Sequence, residues 1–304
     1  MLKGRREAAY TGAQVKKISA QLVSQYREGQ LRIIALLRQG DITEWQRAFA
    51  NQQLAQVRAI LETLNENTAS WVQHHIPTLY EAGLKSVNDR LLPGGLSKLA
   101  HPGQVTPMDL KFTRMHKEAI EIIGDNMIQK MWNVNAQVGQ RMKNMVKRAR
   151  FNDMVMQNQI RDDSLKTMAQ ALTDGKTQRQ AGKMMIDNLK ESGISQFKDA
   201  SGRMWNMESY TDMVTRTVSR EAVTQAQLNR TRELGGDLVE VSSHAGACEL
   251  CEPWEGQILS ITGETEEYNG EPISTVAEAE DAGLHHPNCA HELIPFFPEY
   301  AQGV

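Results

Sequence analysis

The sequence has few aromatic residues, three cysteines and no long apolar run. Aromatic residues make up 6% of its 304 residues, whereas the hydrophobic (40%) and charged (23%) fractions are ordinary for a folded soluble protein. No run of 18 apolar residues occurs, which excludes a membrane-spanning helix. The basic start, residues 1–6, lacks the apolar stretch of a secretion signal. We therefore expect a protein that stays in a cytoplasm unless a particle carries it out.

Lysine and arginine are absent from the last part of the chain. Residues 236–304 contain 14 of the 37 acidic residues and no basic residue, which gives a formal charge of −14. Residues 1–235 contain all 34 basic residues and the other 23 acidic ones, a formal charge of +11. Such asymmetry indicates different partners for the two parts, or attraction between the parts or between copies.

The densest basic stretch, residues 141–150, has no interleaved aromatic residue. This excludes a platform on which single-stranded bases would stack. Its basic side chains are candidates for contact with nucleic-acid phosphates, and the alternative is a solvated helical surface. The candidates are Arg141, Lys143, Lys147, Arg148 and Arg150.

Apolar residues recur at helical spacing through most of the first 193 residues. We predict helices over 13–37, from a capping box at 41–44 to about 64, and over 69–92, 109–171 and 177–189. We expect Pro77 to kink or divide the third helix, and breaks in the fourth near Gly139 and 151–153. A loop of about fifteen residues separates the third helix from the fourth.

The pattern changes after residue 194. Residues 196–205 predict two short strands around a glycine-bearing turn, and 208–234 a helix that ends at Gly235-Gly236. Two further strand candidates are 237–242 and 257–261. The predicted fold class is mainly α, with a long helical body (1–193) and a small α+β C-terminal module (194–304).

Three cysteines near the end of the chain carry the strongest chemical signal. Cys248-x-x-Cys251 is followed by His286-Pro287-Asn288-Cys289-Ala290-His291, with 37 residues between Cys251 and Cys289. An odd number of cysteines argues against a disulfide framework and favours thiolate ligands. Three thiolates and one imidazole form a closed, tetrahedral structural zinc site. Its binding free energy, on the order of 10 kcal/mol, would hold a small acidic module together.

Two histidines compete to be the fourth ligand of this predicted zinc site. His286 precedes Cys289 by three residues, which reproduces a knuckle spacing, and His291 follows it by two. We favour His286 as the ligand, with His291 bracing the site through a hydrogen bond. The alternatives to metal binding are oxidation to a disulfide and cysteines with no bond.

Three catalytic motifs are present only in part. Residues 291–295 begin like a zincin motif, but Pro295 stands where the second histidine belongs. The Cys-x-x-Cys pair resembles that of zinc nucleobase deaminases, but no His-x-Glu precedes it and no proline stands directly before Cys248. Residues 175–177 end like a phosphate loop, but Gln170 replaces its glycine. We therefore expect no catalytic residues.

Three motifs of the C-terminal part form a characteristic set. They are Trp205-x4-Tyr210-Thr211-Asp212-Met213-Val214-x-Arg216-Thr217, Asp237-Leu238-Val239-x-Val241-Ser242-x-His244-x3-Cys248-x2-Cys251-x-Pro253-Trp254-x-Gly256 and Gly283-x2-His286-Pro287-Asn288-Cys289-x-His291. As a set, these motifs resemble the phage minor capsid protein family, which is related to the head-morphogenesis proteins typified by the F protein of phage Mu. The resemblance covers about 194–297, and 1–193 agree with it only in helical character. Ala290 departs from it, because relatives usually have arginine there.

The resemblance implies a protein present in a few copies in the virion, at the portal vertex or inside the capsid, that is needed for head assembly or DNA delivery. It implies no enzymatic activity. The expected partners are the portal protein and the major capsid protein, with packaged DNA as a further candidate and no membrane. Host cytoplasm is the expected location during assembly. The alternatives are a zinc-dependent hydrolase or deaminase acting on nucleic acid, and a DNA-binding protein that uses the basic body.

Overall fold

The structure, a computed structural model, describes residues 12–38, 47–91, 111–149, 196–199, 201–244, 246–286, 289 and 291–298. Its helices are α1 (Gly12–Arg38), α2 (Arg47–Leu91), α3 (Arg114–Ala149), α4 (Met207–Glu233) and α5 (Val276–Asp281). Its strands are β1 (Gln196–Lys198), β2 (Met204–Asn206), β3 (Leu238–Val241), β4 (Ile258–Ser260), β5 (Glu267–Tyr268), β6 (Glu271–Pro272) and β7 (Leu293–Phe296). A mainly helical chain with a small strand-containing C-terminal region is thus confirmed. Across these ranges, no helix is long and apolar enough to cross a membrane.

The chain forms two compact units, and α1, α2, α3 and α4 each contribute to both. The first unit comprises Met1–Ile18, Val72–Asn126 and Met213–Val304. The second comprises Ser19–Trp71 and Met127–Asp212. The domain boundary predicted between residues 193 and 194 stays a prediction.

In the second unit, a buried polar contact joins α1, α2 and α3. The hydroxyl of Tyr26 lies 2.9 Å from Oγ1 of Thr68 and accepts a hydrogen bond from Nδ2 of Asn135 at 3.1 Å. The same amide donates to Oδ1 of Asn65 at 2.7 Å. The predicted end of a helix near Leu64 is therefore wrong. Helix α2 continues because its polar residues find partners on the other two helices, and such partners are not evident from local propensity.

Two expected helix breakers lie inside continuous helices. The break predicted near Gly139 is wrong, because α3 runs through it. A Cβ atom at Gly139 would lie 3.1 Å from Cδ1 of Leu61, so this glycine allows close packing against α2. Pro77 does not divide α2, where the neighbouring Ile76 and Leu79 are fully buried.

Helix α1 confirms the helix predicted over 13–37. The predictions for 41–44, 93–107, 151–171 and 177–189 lie outside the described residues.

The two short strands predicted at 196–205 are confirmed as the antiparallel β1–β2 hairpin of the second unit. Gln196 pairs with Asn206, and Gly202 takes a left-handed φ of 81° in the turn. The carboxylate of Asp199 closes the hairpin by accepting a hydrogen bond from Nε1 of Trp205 at 2.7 Å. The predicted glycine turn is thus stabilised by an aspartate that caps it.

In the first unit, α2 and α4 pack closely at a glycine. A Cβ atom at Gly83 would lie 2.5 Å from the carbonyl oxygen of Val223 and 2.7 Å from Cβ of Ala226, so only glycine fits between the two helices. Next to this contact the buried Arg230 donates to Oδ1 of Asn88 at 2.9 Å. Helix α4 confirms the helix predicted over 208–234.

A three-stranded antiparallel sheet in the order β4-β3-β7 follows α4. Strands β3 and β4 confirm the two predicted strands, whereas β5, β6, β7 and α5 lie where no element was predicted. Because Val241 pairs with Leu293, the segment after β3 and the segment before β7 emerge at the same end of the sheet. The two cysteine-bearing segments therefore meet there.

Candidate metal centre

The first cysteine segment is a tight turn followed by a 3-10 helix. The backbone N–H groups of Cys251 and Glu252 both donate to the carbonyl oxygen of Cys248 at 2.9 Å. The 3-10 helix Glu252–Trp254 follows directly. The turn places the side chain of Cys251 in the core, where it is 1% exposed, and leaves Cys248 exposed.

The second segment lies between α5 and β7. The N–H group of Cys289 donates to the carbonyl oxygen of His286 at 2.9 Å, which forms a second turn. Cys289 and His291 are buried, and His286 is half-buried. Cys251, Cys289 and the apolar residues around them belong to one core cluster, with Val239, Val241, Leu259, Val276, Leu284 and Leu293.

The structure brings all five predicted ligands together in two overlapping groups. Cys248, Cys251 and His286 form one, and Cys251, Cys289 and His291 form the other, with the ligand atoms of each group within 4.8 Å of one another. The Sγ atoms of Cys251 and Cys289 lie 3.7 Å apart. Sγ of Cys248 lies 3.1 Å from Nε2 of His286, and Sγ of Cys289 lies 3.4 Å from Nδ1 of His291. Cys251 is common to both groups.

The sulfur–sulfur distance between Cys251 and Cys289 and the sulfur–nitrogen distance between Cys289 and His291 fit ligands that share one ion, whereas the 3.1 Å between Cys248 and His286 is shorter than such ligands require. Two sulfur ligands at about 2.3 Å from a tetrahedral zinc ion lie about 3.8 Å apart, and a sulfur and a nitrogen ligand lie about 3.6 Å apart. The 3.7 Å between Cys251 and Cys289 agrees with the first distance and is far longer than a disulfide bond of about 2.05 Å. All three cysteines are free. The Cys/His groups could thus hold a metal ion, through soft ligands that suit zinc.

The two cysteines of the first turn differ in acidity. Burial raises the pKa of the Cys251 thiol to about 12. Desolvation also raises the pKa of Cys248, but hydrogen bonds from the backbone N–H groups of Cys251 and Leu250 outweigh it and lower that pKa to about 7. A metal ion at this site would displace the proton of Cys251, because thiolates are the ligands.

Glu255 is a residue of the site that the sequence analysis missed. Its Oε1 atom lies 2.8 Å from Nε2 of His291 and accepts a hydrogen bond from the backbone N–H of His244 at 2.9 Å. These two contacts lower the pKa of Glu255. The rings of His244 and His291 lie 4.2 Å apart. A carboxylate on one nitrogen of a metal-binding histidine orients the ring and fixes its tautomer. No motif spacing marks this role.

The structure, like the sequence, lacks a zincin motif at residues 291–295. Pro295 lies in β7, and the residues before this strand are not helical, so His291 and Glu292 do not begin a metal-binding helix.

The five basic candidates for DNA contact lie at and beyond the end of α3. The guanidinium of Arg141 donates to the carbonyl oxygen of Gln196 at 2.9 Å, and Lys143 is half-buried. The side chains of Lys147 and Arg148, and the whole of Arg150, lie outside the described residues. Their contact with DNA stays a prediction.

The family model described as phage minor capsid protein 2 matches residues 11–303. The chain belongs to this family. The resemblance inferred from the motifs is therefore confirmed, and its extent is corrected, because the match covers the helical part as well as 194–297. Membership of a phage capsid family implies association with the virion. No curated protein and no solved structure matches the chain.

Proposed function

We propose that this minor capsid protein is a structural component of the phage head, located at the portal vertex or on the capsid interior. It acts in head assembly or in DNA packaging and delivery, and its partners are the portal protein and the major capsid protein. The observation that carries the proposal is the family match over nearly the whole chain. The opposite charges of residues 1–235 and 236–304 support contacts with at least two different surfaces.

Fractionation of phage particles tests this location. The protein is expected to sediment with purified heads, and to be lost from heads assembled without the portal protein if it sits at the portal vertex. Heads without portal that retain the protein would place it on the capsid shell. A protein found only in the soluble lysate, and never in heads, would contradict the proposal.

We further propose that a structural zinc ion is held by Cys248, Cys251, Cys289 and one histidine. The two cysteine segments meet although Cys251 and Cys289 lie 38 residues apart in the sequence. The separation of their sulfur atoms suits a shared ion, which supports the proposal. Four protein ligands leave no position for water, so such a site stabilises a fold and carries out no hydrolysis. The spacing in the sequence favours His286 as the fourth ligand, whereas the contact with Glu255 favours His291.

Cobalt substitution distinguishes the two histidines. Tetrahedral Co²⁺ bound to thiolates absorbs visible light, and its bands depend on the ligand set. The full chain carrying His291→Ala or His286→Ala is compared with wild type during Co²⁺ titration. The ligand histidine is the one whose loss changes the bands to those of a site with water. Unchanged bands in both variants would contradict an imidazole ligand from either position.

Packaged DNA is a second candidate partner, favoured by the formal charge of +11 on residues 1–235. Phosphate contacts release counterions, so binding to duplex DNA is expected to weaken steeply with salt. A variant with Lys143, Lys147 and Arg148 changed to Gln is expected to show a salt slope smaller by up to about three. Binding that does not change with salt would exclude this role.

A further inference from the structure

Arg220 of α4 contacts the backbone of the second cysteine segment at three points. One terminal nitrogen of its guanidinium donates to the carbonyl oxygen of Cys289. The other lies 3.4 Å from the carbonyl oxygen of His285 and 3.5 Å from that of His286. A planar guanidinium offers several donors in a fixed fork, which allows one side chain to hold several carbonyl groups. Arg220 thus ties α4 to the segment that carries Cys289 and His286.

The charge of Arg220 matters as much as its hydrogen bonds. Its guanidinium donates to the carbonyl oxygen of Cys289, so its positive charge lies beside a residue that supplies one of the proposed thiolates. Three thiolates and a neutral imidazole around a divalent ion leave one net negative charge. Residues 236–304 contain no lysine or arginine that could balance it. A lysine or arginine that balances this charge therefore comes from outside this acidic part of the chain, and α4 provides Arg220.

We propose that Arg220 is a positioning residue of the metal centre, which holds the backbone of His285, His286 and Cys289 in the geometry that the ion requires and balances the charge of the thiolates. This inference rests on the proposed structural metal site. It also gives α4 a direct role in metal binding, because the two cysteine segments are then held in place by a third element. Sequence spacing does not indicate such a role, since Arg220 lies 28 residues before Cys248.

Metal affinity of the full-length chain tests the proposal. Arg220→Gln removes the charge and the fork, Arg220→Lys keeps the charge alone, and Arg216→Gln, an exposed arginine one turn earlier on α4, is the matched control. Zinc affinity is measured by competition with a chromophoric chelator, Co²⁺ spectra report the ligand geometry, and far-ultraviolet circular dichroism reports helix content.

Arg220→Gln is expected to weaken zinc binding by about 10–100-fold, the usual cost of losing a group that orients metal ligands. Arg220→Lys is expected to recover part of the affinity, with altered Co²⁺ bands, and Arg216→Gln is expected to bind as wild type does. Wild-type affinity and Co²⁺ bands in both Arg220 variants would overturn the proposal. If Arg220→Gln does not fold, the lysine variant decides: unchanged affinity and bands overturn the proposal, and weaker binding with altered bands supports it.

Metal binding by the wild-type chain separates an error about Arg220 from an error about the metal site itself. A wild-type chain that binds neither Zn²⁺ nor Co²⁺ would overturn both. A wild-type chain that binds zinc, together with Arg220 variants that bind it equally well, would overturn the role of Arg220 and leave the metal site in place.

Discussion

Nε2 of His291 lies 2.8 Å from Oε1 of Glu255. This contact engages one ring nitrogen of a fully buried histidine and leaves the other, Nδ1, facing the sulfur of Cys289 at 3.4 Å. If Nε2 carries the proton, Nδ1 has a free lone pair directed at the cysteine cluster. The carboxylate thereby orients His291 as the proposed metal site requires.

Glu255→Gln is expected to weaken zinc binding by about 10-fold, because a neutral amide orients the histidine less strongly than a carboxylate does. Competition with a chelator measures the change. Glu252→Gln, which alters an exposed acidic residue of the same segment, is the matched control and is expected to have no effect. Equal affinities of the Glu255 and Glu252 variants would show that Glu255 does not support the site.

Cys251→Ser is expected to be more damaging than Cys248→Ser. Cys251 is buried and belongs to both ligand groups, whereas Cys248 is exposed and belongs to one. Thermal unfolding measures the difference: Cys251→Ser is expected to lower the melting temperature further and to abolish its response to added zinc. A wild-type chain whose melting temperature is the same with and without a strong chelator would contradict a structural role for the ion.

The candidate site could be predicted only in part from the sequence. Cys248, Cys251 and Cys289 are rare residues at a characteristic spacing, so the sequence indicates both their chemistry and their meeting. Glu255 and Arg220 are common residue types at unremarkable positions. Their contacts exist only because β3 pairs with β7 and because α4 lies against the backbone of His285, His286 and Cys289. Such long-range contacts leave no local pattern.

Two glycines in the helices are expected to respond oppositely to alanine. At Gly83 the new Cβ atom would meet the backbone of Val223, which cannot move cheaply, so Gly83→Ala is expected to lower the free energy of unfolding by about 1–3 kcal/mol. At Gly139 the neighbour is the end of the flexible Leu61 side chain, and Gly139→Ala is expected to be neutral or stabilising by up to about 1 kcal/mol.

Chemical denaturation of both variants measures these changes. Gly139→Ala serves as the control, because it adds the same methyl group to a helix where the neighbour is a flexible side chain and not backbone. If Gly83→Ala proves as stable as wild type, α2 and α4 do not approach as closely as the structure has them.

Gly139 explains one wrong prediction of the fold, the break expected in α3. Gly139 is a poor helix former, and the sequence therefore indicates a break, but α3 runs through it and packs against Leu61 of α2. In a similar way, Asn65 and Thr68 weaken an isolated helix, yet Tyr26 and Asn135 from neighbouring helices satisfy them. The β1–β2 hairpin and α4 were predictable because their turn and end signals are local.

The β1–β2 hairpin is expected to depend on the ionised form of Asp199. Hydrogen bonds from Ser201, Trp205 and the backbone of Arg203 lower the pKa of Asp199 from 3.8 to about 2. Because the folded-state pKa is depressed, the stabilisation is present above pH 3.8 and is lost as the pH falls through about 2. Carboxyl-carbon nuclear magnetic resonance measures this pKa.

Trp205→Phe removes one donor and is expected to raise the pKa of Asp199, whereas Trp254→Phe, which removes an indole distant in sequence, is the control. A pKa that is the same in wild type and in Trp205→Phe would contradict the contribution of the indole.

X-ray absorption at the zinc edge of the purified full-length protein tests whether the three cysteines share one zinc ion. The expected spectrum shows a shell of three sulfur atoms at about 2.3 Å and one nitrogen atom at about 2.0–2.1 Å, with one zinc ion per chain. A chain that contains no metal, or an ion with no sulfur among its ligands, would contradict a metal site formed by Cys248, Cys251 and Cys289.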